Sequence, residues 1–207
     1  MVERLTFNQR ADGSTPSGIT NSEMAIMEAS SKAWRVLESR EILDVPDRAR
    51  ITVETVELPD GRVVDDYWQI ALNDFVVIYA ETQAGEVLLI ELYRHGPRRH
   101  GLEFVAGRLN KGESPLAAAQ REILEETGYR SDRWEALGSY VVSGTQGLGT
   151  GHLFRAYDAV KVQEPCSDDL EETRVLLVSR ERLREAVRGN EFLTLYHLAL
   201  LGAAFYR

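Results

Sequence analysis

Three glutamates near the middle of the chain have a spacing that could support metal chemistry. Glu122, Glu125 and Glu126 stand at positions i, i+3 and i+4, and residues at these spacings are neighbours on the surface of a helix. Clustered carboxylate oxygens suit a hard divalent cation, because Mg²⁺ is commonly held by one or two carboxylates together with substrate phosphate and water. For three glutamates alone, a solvated acidic face is the simpler interpretation.

The residues around these glutamates predict a short helix. Ser114 is a suitable N-cap, Pro115 fits the first helical position, and Gly128 suits the left-handed residue that ends a helix. Most residues between them are alanine, leucine and glutamate, which favour the helical state. We therefore expect the three glutamates to project from one face of a helix that ends at Gly128.

The pattern surrounding the helix narrows the interpretation. Gly107 is followed after five residues by Glu113, and after seven more by Arg-Glu-Ile-Leu-Glu-Glu-Thr-Gly-Tyr at residues 121–129. In spacing and residue type this segment resembles the Nudix box over its whole length. The last residue is Tyr129, where the family usually has an aliphatic residue. We expect this difference to matter little, because an aromatic ring can also pack inward there.

The resemblance extends beyond the box to the order of the predicted elements. A small β lobe, a hairpin, Glu-Leu-Tyr-Arg at 91–94, Glu-Phe-Val-Ala-Gly at 103–107, the box, an acidic loop and a strand at 174–178 follow one another. This order resembles the branch of Nudix hydrolases that cleaves ADP-ribose and other nucleoside diphosphate sugars. It implies an α/β (α+β) fold, an α/β/α sandwich with a mixed sheet and an N-terminal antiparallel β lobe. In this branch the lobe builds a homodimer.

The resemblance also implies a metal site and residues that support it. The implied ligands all offer oxygen atoms, and they are the side chains of Glu122, Glu125 and Glu126 with the backbone carbonyl of Ala106. Arg121 would orient the glutamates, Glu113 would brace Arg121, and Glu122 counts as catalytic with both of them. The implied cofactor is Mg²⁺, with Mn²⁺ as an alternative. Such an ion lowers the pKa of a bound water, so no covalent nucleophile is needed.

A general base is expected from the acidic loop before the last strand of the sheet. In this family a glutamate of that mobile loop often takes the role. The residues that compete for it share a carboxylate and are Asp168, Asp169, Glu171 and Glu172. Among them we favour Glu171, while the others remain alternatives because most must be solvated charges.

Substrate contacts are expected on both sides of the box. Arg94 ends a strand within a basic stretch and would contact the phosphates or the base of the substrate. Arg108 lies at the start of the box and is expected to add a second cation. Ser143 and Gly144 begin a glycine-rich stretch at 143–151, which we predict to be a mobile substrate loop.

This glycine-rich stretch departs from the pattern of the ADP-ribose branch. Members that cleave ADP-ribose typically carry Ser-Pro-Gly here, and this chain has Gly144 at the position of the proline. ADP-ribose is the expected substrate, but GDP-mannose, NADH and dinucleoside polyphosphates stay open. A non-catalytic nucleotide-sugar sensor also stays open, although such proteins usually lose box glutamates and this chain keeps all four of them.

Composition limits the remaining classes of function. The chain has 207 residues, 43% of them hydrophobic and 28% charged, as in a soluble globular protein. Its net charge of −9 argues against nucleic-acid binding, which needs a basic surface. A single cysteine excludes an internal disulfide and favours a cytoplasmic location. Neither a membrane-spanning run nor a signal peptide is apparent.

Periodicity and turn residues divide the chain into three parts. We predict a flexible tail at 1–30, a dimerising β lobe at 31–72 and a Nudix domain at 73–207. The predicted strands lie at 34–43, 50–58, 62–72, 74–82, 86–93, 140–142, 152–160 and 174–178. Predicted helices follow at 179–188, capped by a serine, and at 191–206, where a nearly continuous apolar run favours a buried helix against the sheet.

Overall fold

The structure, a computed structural model, describes residues 33–166 and 173–206. Strands and helices account for most of these residues. The strands are β1 (Arg35–Val45), β2 (Ala49–Glu57), β3 (Val63–Leu72), β4 (Phe75–Thr82), β5 (Val87–Arg94), β6 (Arg99–Glu103), β7 (Val105–Arg108), β8 (Tyr129–Arg130), β9 (Arg133–Ser143), β10 (Gly147–Lys161) and β11 (Arg174–Val178). The helices are α1 (Pro115–Thr127), α2 (Arg180–Arg188) and α3 (Leu195–Phe205). The predicted tail at 1–30 lies outside the described residues.

The sheet is mixed, as predicted. β10 runs parallel to β4, with Phe75 opposite Gly151, and antiparallel to β9. β5 and β11 continue the sheet beyond β4 in antiparallel pairs. β4 and β5 pair only where Glu81 meets Val87, and then β7 pairs with β4 while β6 pairs with β5. The segment from β6 to β7 therefore passes from one strand to the other.

Both faces of this sheet are covered, because its central strands are apolar at nearly every position. On one face Val76 and Ile78 join a buried cluster with Ile123 of α1. On the other face Val77 and Tyr79 join a cluster that includes residues of α2 and α3. Successive residues of a strand point to opposite faces, so a continuous apolar run is what two covered faces require. The predicted α/β/α sandwich is confirmed.

The N-terminal strands form where they were predicted, and the described residues cluster into two compact units. One unit holds the residues up to Arg40 together with Val53–Tyr67, and the other holds Glu41–Thr52 together with Trp68–Arg207. The second unit thus includes the turn between β1 and β2. The predicted division of the chain at residue 72 stays a prediction.

Large apolar side chains of the first unit are exposed. Trp34, Val36, Leu37 and Val63 are each about half exposed, at 48%, 52%, 46% and 55%. Clustered exposed apolar residues commonly mark a surface that another chain covers. Dimerisation through this lobe stays a prediction, for which light scattering of the purified protein is the measurement.

The glycine-rich stretch at 143–151 differs from the mobile loop that was predicted. Only residues 144–146 form a turn, and β10 begins at Gly147. β9 and β10 continue to pair through this stretch, with Thr150 opposite Val141. Gly147 and Gly149 adopt φ values of 84° and 78°, which accommodate irregular pairing near the turn. Glycine here permits an irregular hairpin rather than a loop.

The C-terminal helix is shorter and more exposed than predicted. It begins at Leu195 rather than at residue 191, because the preceding residues extend the sheet: Phe192 bridges Leu102, whose amide donates to Glu191 O at 2.9 Å. Of its residues only His197 and Leu200 are fully buried, so the prediction of a buried helix was wrong for most of its surface. No helix of residues 33–166 and 173–206 is both long and apolar enough to cross a membrane.

A buried carboxylate ties the sheet to α2. Glu81 is only 5% exposed and accepts hydrogen bonds from Arg155 at 2.5 Å and from Arg180 at 2.6 and 3.0 Å. The hydroxyl of Tyr79 donates to the same carboxylate at 3.1 Å. Burial alone would raise the pKa of Glu81, but the two arginines outweigh burial and lower it below 4.5. Glu81 therefore stays ionised in the folded protein.

Glu81→Gln is expected to lower the free energy of unfolding at pH 7 by about 2 kcal/mol, because it leaves the partly buried Arg155 without its counter-charge. The pKa of Glu81 is lower in the folded state than in the unfolded state. The contribution of the ionised carboxylate to the free energy of unfolding is therefore complete above the ordinary pKa of 4.5, and it is lost as the pH falls through the folded-state pKa. Urea unfolding from pH 7 to pH 3 should show the difference from wild type shrinking in acid.

Glu91→Gln is the matched control for this change. Glu91 pairs with Arg174, and their side chains are 39% and 68% exposed. Exposed ion pairs contribute little, so we expect a loss of at most about 1 kcal/mol. A loss at Glu81 no larger than that at Glu91, or one independent of pH, would contradict the assigned role.

Candidate active site

The segment from β6 to β7 brings backbone groups against the acidic helix. After Glu103 the chain leaves β5 and pairs with β4, placing Ala106 opposite Val77 and Gly107 opposite Val76. Leu109 then donates its amide to Asp74 O at 3.0 Å, which fixes the exit from β7. The start of the box is therefore held as a strand, next to the helix that follows.

Gly107 occupies a position where a side chain cannot be placed without moving a glutamate. A Cβ atom at this position would lie 1.9 Å from both Cδ and Oε1 of Glu122. Real Cβ contacts are essentially never this short, so the carboxylate and the glycine backbone are packed directly against each other. The sequence pattern marked Gly107, and the structure supplies the physical reason for it.

The acidic helix begins and ends as predicted. Ser114 Oγ accepts a hydrogen bond from the amide of Ala117 at 3.3 Å. Gly128 adopts φ 73°, and its amide donates to Leu124 O at 2.9 Å. Tyr129 packs against the core cluster beside the helix, so the prediction that an aromatic ring packs inward there is confirmed.

Arg121 joins the acidic residues of the box. Its Nε and Nη2 donate to the two carboxylate oxygens of Glu113, both at 2.9 Å. Its Nη1 donates to Glu122 Oε1 at 2.7 Å and to Glu125 Oε2 at 3.1 Å. Nη2 also reaches the backbone oxygen of Arg108 at 3.0 Å. One guanidinium thus fixes three carboxylates relative to β7, the contacts expected of a residue that orients the glutamates.

The charges of this cluster stabilise one another. Hydrogen bonds from Arg121 lower the pKa of Glu113, and bonds to Glu113 and Glu122 raise the pKa of Arg121 despite its partial burial. A bidentate pair between a guanidinium and a carboxylate is both strong and directional. The pairing with Arg121 therefore keeps the Glu113 carboxylate ionised at neutral pH.

The donors available here fit a hard divalent cation. Glu122 and Glu126 are 9% and 7% exposed and line one cavity together with Ala106. Glu125 does not line it and instead contacts Arg121. Within residues 33–166 and 173–206, no three acidic or metal-ligating side chains are arranged around one point. Mg²⁺ needs only one or two carboxylates when phosphate and water complete its shell, so two carboxylates beside a backbone carbonyl suffice.

The cavity has a volume of about 850 Å³ and a lining of mixed polarity. Its charged, polar and small lining residues belong to the box and its surroundings: Arg48, Asn73, Arg94, Ala106, Gly107, Arg108, Asn110, Arg121, Glu122 and Glu126. Its large apolar and aromatic lining residues are Leu72, Phe75, Val142, Leu148 and Tyr196. The rings of Phe75 and Tyr196 contact each other with centroids 5.1 Å apart. Such a cavity suits a ligand with one anionic and one planar apolar part.

The structure brings some of the expected substrate residues together and leaves others aside. Arg94 and Arg108 both line the cavity. Ser143 and Gly144 do not, and the hydroxyl of Ser143 donates to Gln146 Oε1 at 2.8 Å within the turn. The favoured base Glu171 and its alternatives at 168, 169 and 172 lie outside the described residues. The assigned roles of all these residues stay predictions.

Several residues of the cavity carry no recognisable motif in the sequence. Phe75 begins a buried strand, and Tyr196 lies in the C-terminal helix, so neither pattern distinguishes a lining residue from a core residue. Glu103, which begins the Glu-Phe-Val-Ala-Gly segment, does not line the large cavity, but it is 1% exposed and binds Arg94 through Nη2 at 2.8 Å and Nε at 3.0 Å. Charged residues are rarely buried without a partner, and this contact supplies the partner of Glu103.

The fold and the site define the class of protein as a hydrolase of the α/β/α-sandwich type. Residues 71–196, more than half of the chain, match the NUDIX domain, and the chain belongs to the Nudix hydrolase family. The resemblance seen in the box is therefore confirmed.

Known proteins similar to this chain include two bacterial relatives and one solved structure. An ADP-ribose pyrophosphatase of Bacillus subtilis is 27% identical over 165 residues, which cover 80% of this chain and 84% of the relative. A methanol dehydrogenase activator of Bacillus methanolicus is 31% identical over 123 residues, covering 59% and 66%. The crystal structure of an ADP compounds hydrolase aligns with a TM-score of 0.72 at 17% identity, covering 83% of this chain and 91% of that one. The last supports the fold.

Proposed function

We propose that this protein hydrolyses the pyrophosphate bond of a nucleoside diphosphate sugar in a Mg²⁺-dependent reaction, with ADP-ribose as the expected substrate. The products would be a nucleoside monophosphate and a sugar phosphate. The observation that carries the proposal is a single cavity lined by two carboxylates of α1, by arginines that include Arg94 and Arg108, and by apolar and aromatic side chains. A nucleoside diphosphate complements this lining, because its phosphates are anionic and its base is planar and largely apolar.

The charged residues of the cavity support binding and cleavage of the diphosphate. Arg94 and Arg108 supply positive charge for its phosphate oxygens, and arginine suits phosphate because its planar donors can bind two oxygens at once. Glu122, Glu126 and the carbonyl of Ala106 would hold Mg²⁺, and Glu125, which contacts Arg121, is the third proposed carboxylate ligand. The ion supplies charge neutralisation and a bound water of lowered pKa. Arg121 keeps the glutamates in place, and Glu171 is the proposed proton acceptor.

The apolar and aromatic residues of the cavity support binding of the nucleoside or the sugar. Phe75 and Tyr196 present ring surfaces there, and Leu148 faces the same cavity. Planar bases stack well on aromatic rings, and an apolar wall with few polar groups is typical of ligand pockets. The volume of about 850 Å³ is within the usual range for such pockets, which reaches about 1,000 Å³.

Similarity to the Bacillus subtilis ADP-ribose pyrophosphatase over 80% of this chain favours ADP-ribose among nucleotide sugars. The glycine at position 144, where the branch typically has proline, is the feature that keeps GDP-mannose, NADH and dinucleoside polyphosphates as alternatives. A sensor without catalysis is the alternative from another class. The expected cytoplasmic location and homodimer belong to the same proposal.

A substrate panel tests this proposal. The purified protein would be incubated with ADP-ribose, GDP-mannose, NADH and a dinucleoside polyphosphate, each with Mg²⁺, with Mn²⁺ or with a chelator, and the products would be identified by chromatography. We expect AMP and ribose 5-phosphate from ADP-ribose, only when a metal is present. Tight binding of a nucleotide sugar without cleavage would instead indicate a sensor.

A further inference from the structure

We propose that Glu103 and His197 act together as positioning residues that hold Arg94 in its substrate-binding orientation, which builds on the function proposed above. Neither residue lines the large cavity, and both lie behind it. Their effect on the reaction would therefore pass through Arg94. This assigns a functional role to a buried histidine of the C-terminal helix.

The contact between Arg94 and Glu103 fixes the direction of the guanidinium. Nε and Nη2 of Arg94 both donate to Glu103 Oε2, at 3.0 and 2.8 Å. The Glu103 side chain is 1% exposed, whereas that of Arg94 is 31% exposed and reaches the cavity. A buried carboxylate cannot follow a moving arginine, so its position determines where Arg94 can point.

His197 in turn holds Glu103. The imidazole is fully buried, and its Nδ1 accepts a hydrogen bond from the amide of Phe104 at 3.3 Å. Because an amide can only donate, the ring proton of the neutral imidazole must be on Nε2. Nε2 lies 3.5 Å from Glu103 Oε2 and forms no hydrogen bond of normal geometry among the described residues. The protonated nitrogen of the ring thus lies beside the carboxylate that binds Arg94.

The ionisation states agree with this arrangement. Burial lowers the pKa of His197, so the imidazole stays neutral. Burial alone would raise the pKa of Glu103, but its interactions with the nearby His197 ring and with Arg94 outweigh burial and lower the pKa. The network thus contains one anion and one cation, with a neutral ring beside them. The buried carboxylate therefore keeps its counter-charge, which a buried charge requires.

Neighbouring contacts connect the network to other residues of the substrate cavity. The His197 ring centroid lies 4.4 Å from that of Tyr196, which lines the cavity. A small cavity of about 10 Å³, room for about one water, is lined by Arg94, Glu103 and Glu126. A displaced Glu103 would therefore disturb the arginine first and the adjacent carboxylate next.

His197→Asn separates positioning from a purely structural role. The asparagine oxygen can still accept from the amide of Phe104, but the side chain is too short to direct a donor at Glu103. We expect KM for ADP-ribose to rise about tenfold with kcat little changed, as when binding common to the ground and transition states is lost. A wild-type KM in His197→Asn would overturn the proposal.

A double-mutant cycle with Arg94→Ala tests whether the effect passes through the arginine. In that background His197→Asn should change kcat/KM by less than about twofold, because the group that it positions is gone. Leu200→Ala is the matched control, since Leu200 is equally buried in α3 but lies in the apolar cluster. An effect of His197→Asn that is undiminished in Arg94→Ala, or an equal rise in KM for Leu200→Ala, would contradict the proposal.

A spectroscopic readout keeps this test independent of the proposed function. If wild-type protein cleaved no nucleotide sugar, the proposed function would fail, but the Arg94 Nε–H signal in proton–nitrogen NMR would still report on the network. We expect that signal to shift in His197→Asn and to stay in place in Leu200→Ala. An unchanged signal in His197→Asn would overturn the coupling itself.

Discussion

Glu126→Gln and Glu122→Gln are each expected to abolish turnover while leaving the fold intact. Both carboxylates line the cavity and are nearly buried, so each is placed to bind a cation directly. Glutamine has almost the same shape but carries no negative charge. We expect kcat to fall by at least about a hundredfold, because residues that only support a metal ligand are already worth about ten- to a hundredfold. Steady-state kinetics with saturating Mg²⁺ would measure the loss.

Glu185→Gln is the matched control for these two variants. Glu185 is exposed on α2 and does not line the cavity. Its substitution by glutamine changes the net charge by the same amount as the other two substitutions. Circular dichroism should show an unchanged fold in all three variants, and calorimetry with Mn²⁺ should show weakened binding only for Glu122→Gln and Glu126→Gln. Normal hydrolysis by the Glu122→Gln, Glu126→Gln double variant would show that neither carboxylate binds the catalytic metal.

Gly107→Ala is expected to inactivate the protein at little cost in stability. The new methyl group would meet the end of the flexible Glu122 side chain, which can rotate away without disturbing the backbone. Alanine also restricts the unfolded chain, so we expect the free energy of unfolding to change by less than about 1 kcal/mol. A carboxylate moved by about 1 Å is no longer placed for catalysis, and kcat/KM should fall about a hundredfold.

Gly96→Ala provides the comparison for this variant, since a Cβ atom at that position has no heavy atom within 4 Å. Thermal unfolding and kinetics of the two variants should show similar stability but very different activity. If Gly107→Ala retained wild-type kcat/KM, the position of the Glu122 carboxylate would not matter for the reaction. If it failed to fold, the backbone rather than the side chain would have moved.

The acidic helix could be predicted closely because the interactions that define it are local. Its N-cap, its terminal glycine and the i, i+3 and i+4 spacing of its glutamates are all properties of one short segment. The apolar strands β4 and β5 were equally clear, because burial on both faces leaves a continuous apolar run. The metal-binding side of the candidate site is therefore visible in the sequence itself.

The substrate-binding side depends on contacts between distant segments. Tyr196 and His197 are adjacent in one helix, yet one lines the cavity and the other lies behind it. The segment that begins at Glu103 resembles the family pattern in sequence, but the contact of Glu103 with Arg94 and its proximity to His197 are visible only in the structure. The glycines at 147–151 predict a loop, because glycine weakens a strand. In the structure, pairing with β9 holds these residues in β10.

Folding must bring β4 and β10 together before the candidate site can exist. These parallel strands pair Phe75 with Gly151 and Ala80 with Ala156, and every residue of the box lies in the segment between them. Contacts so distant in sequence require closure of a long loop, which slows folding. The helix can form early from local interactions, but its carboxylates gain their cavity only when β10 docks. A nascent chain in which β10 has not yet been synthesised would carry the complete motif and still be inactive.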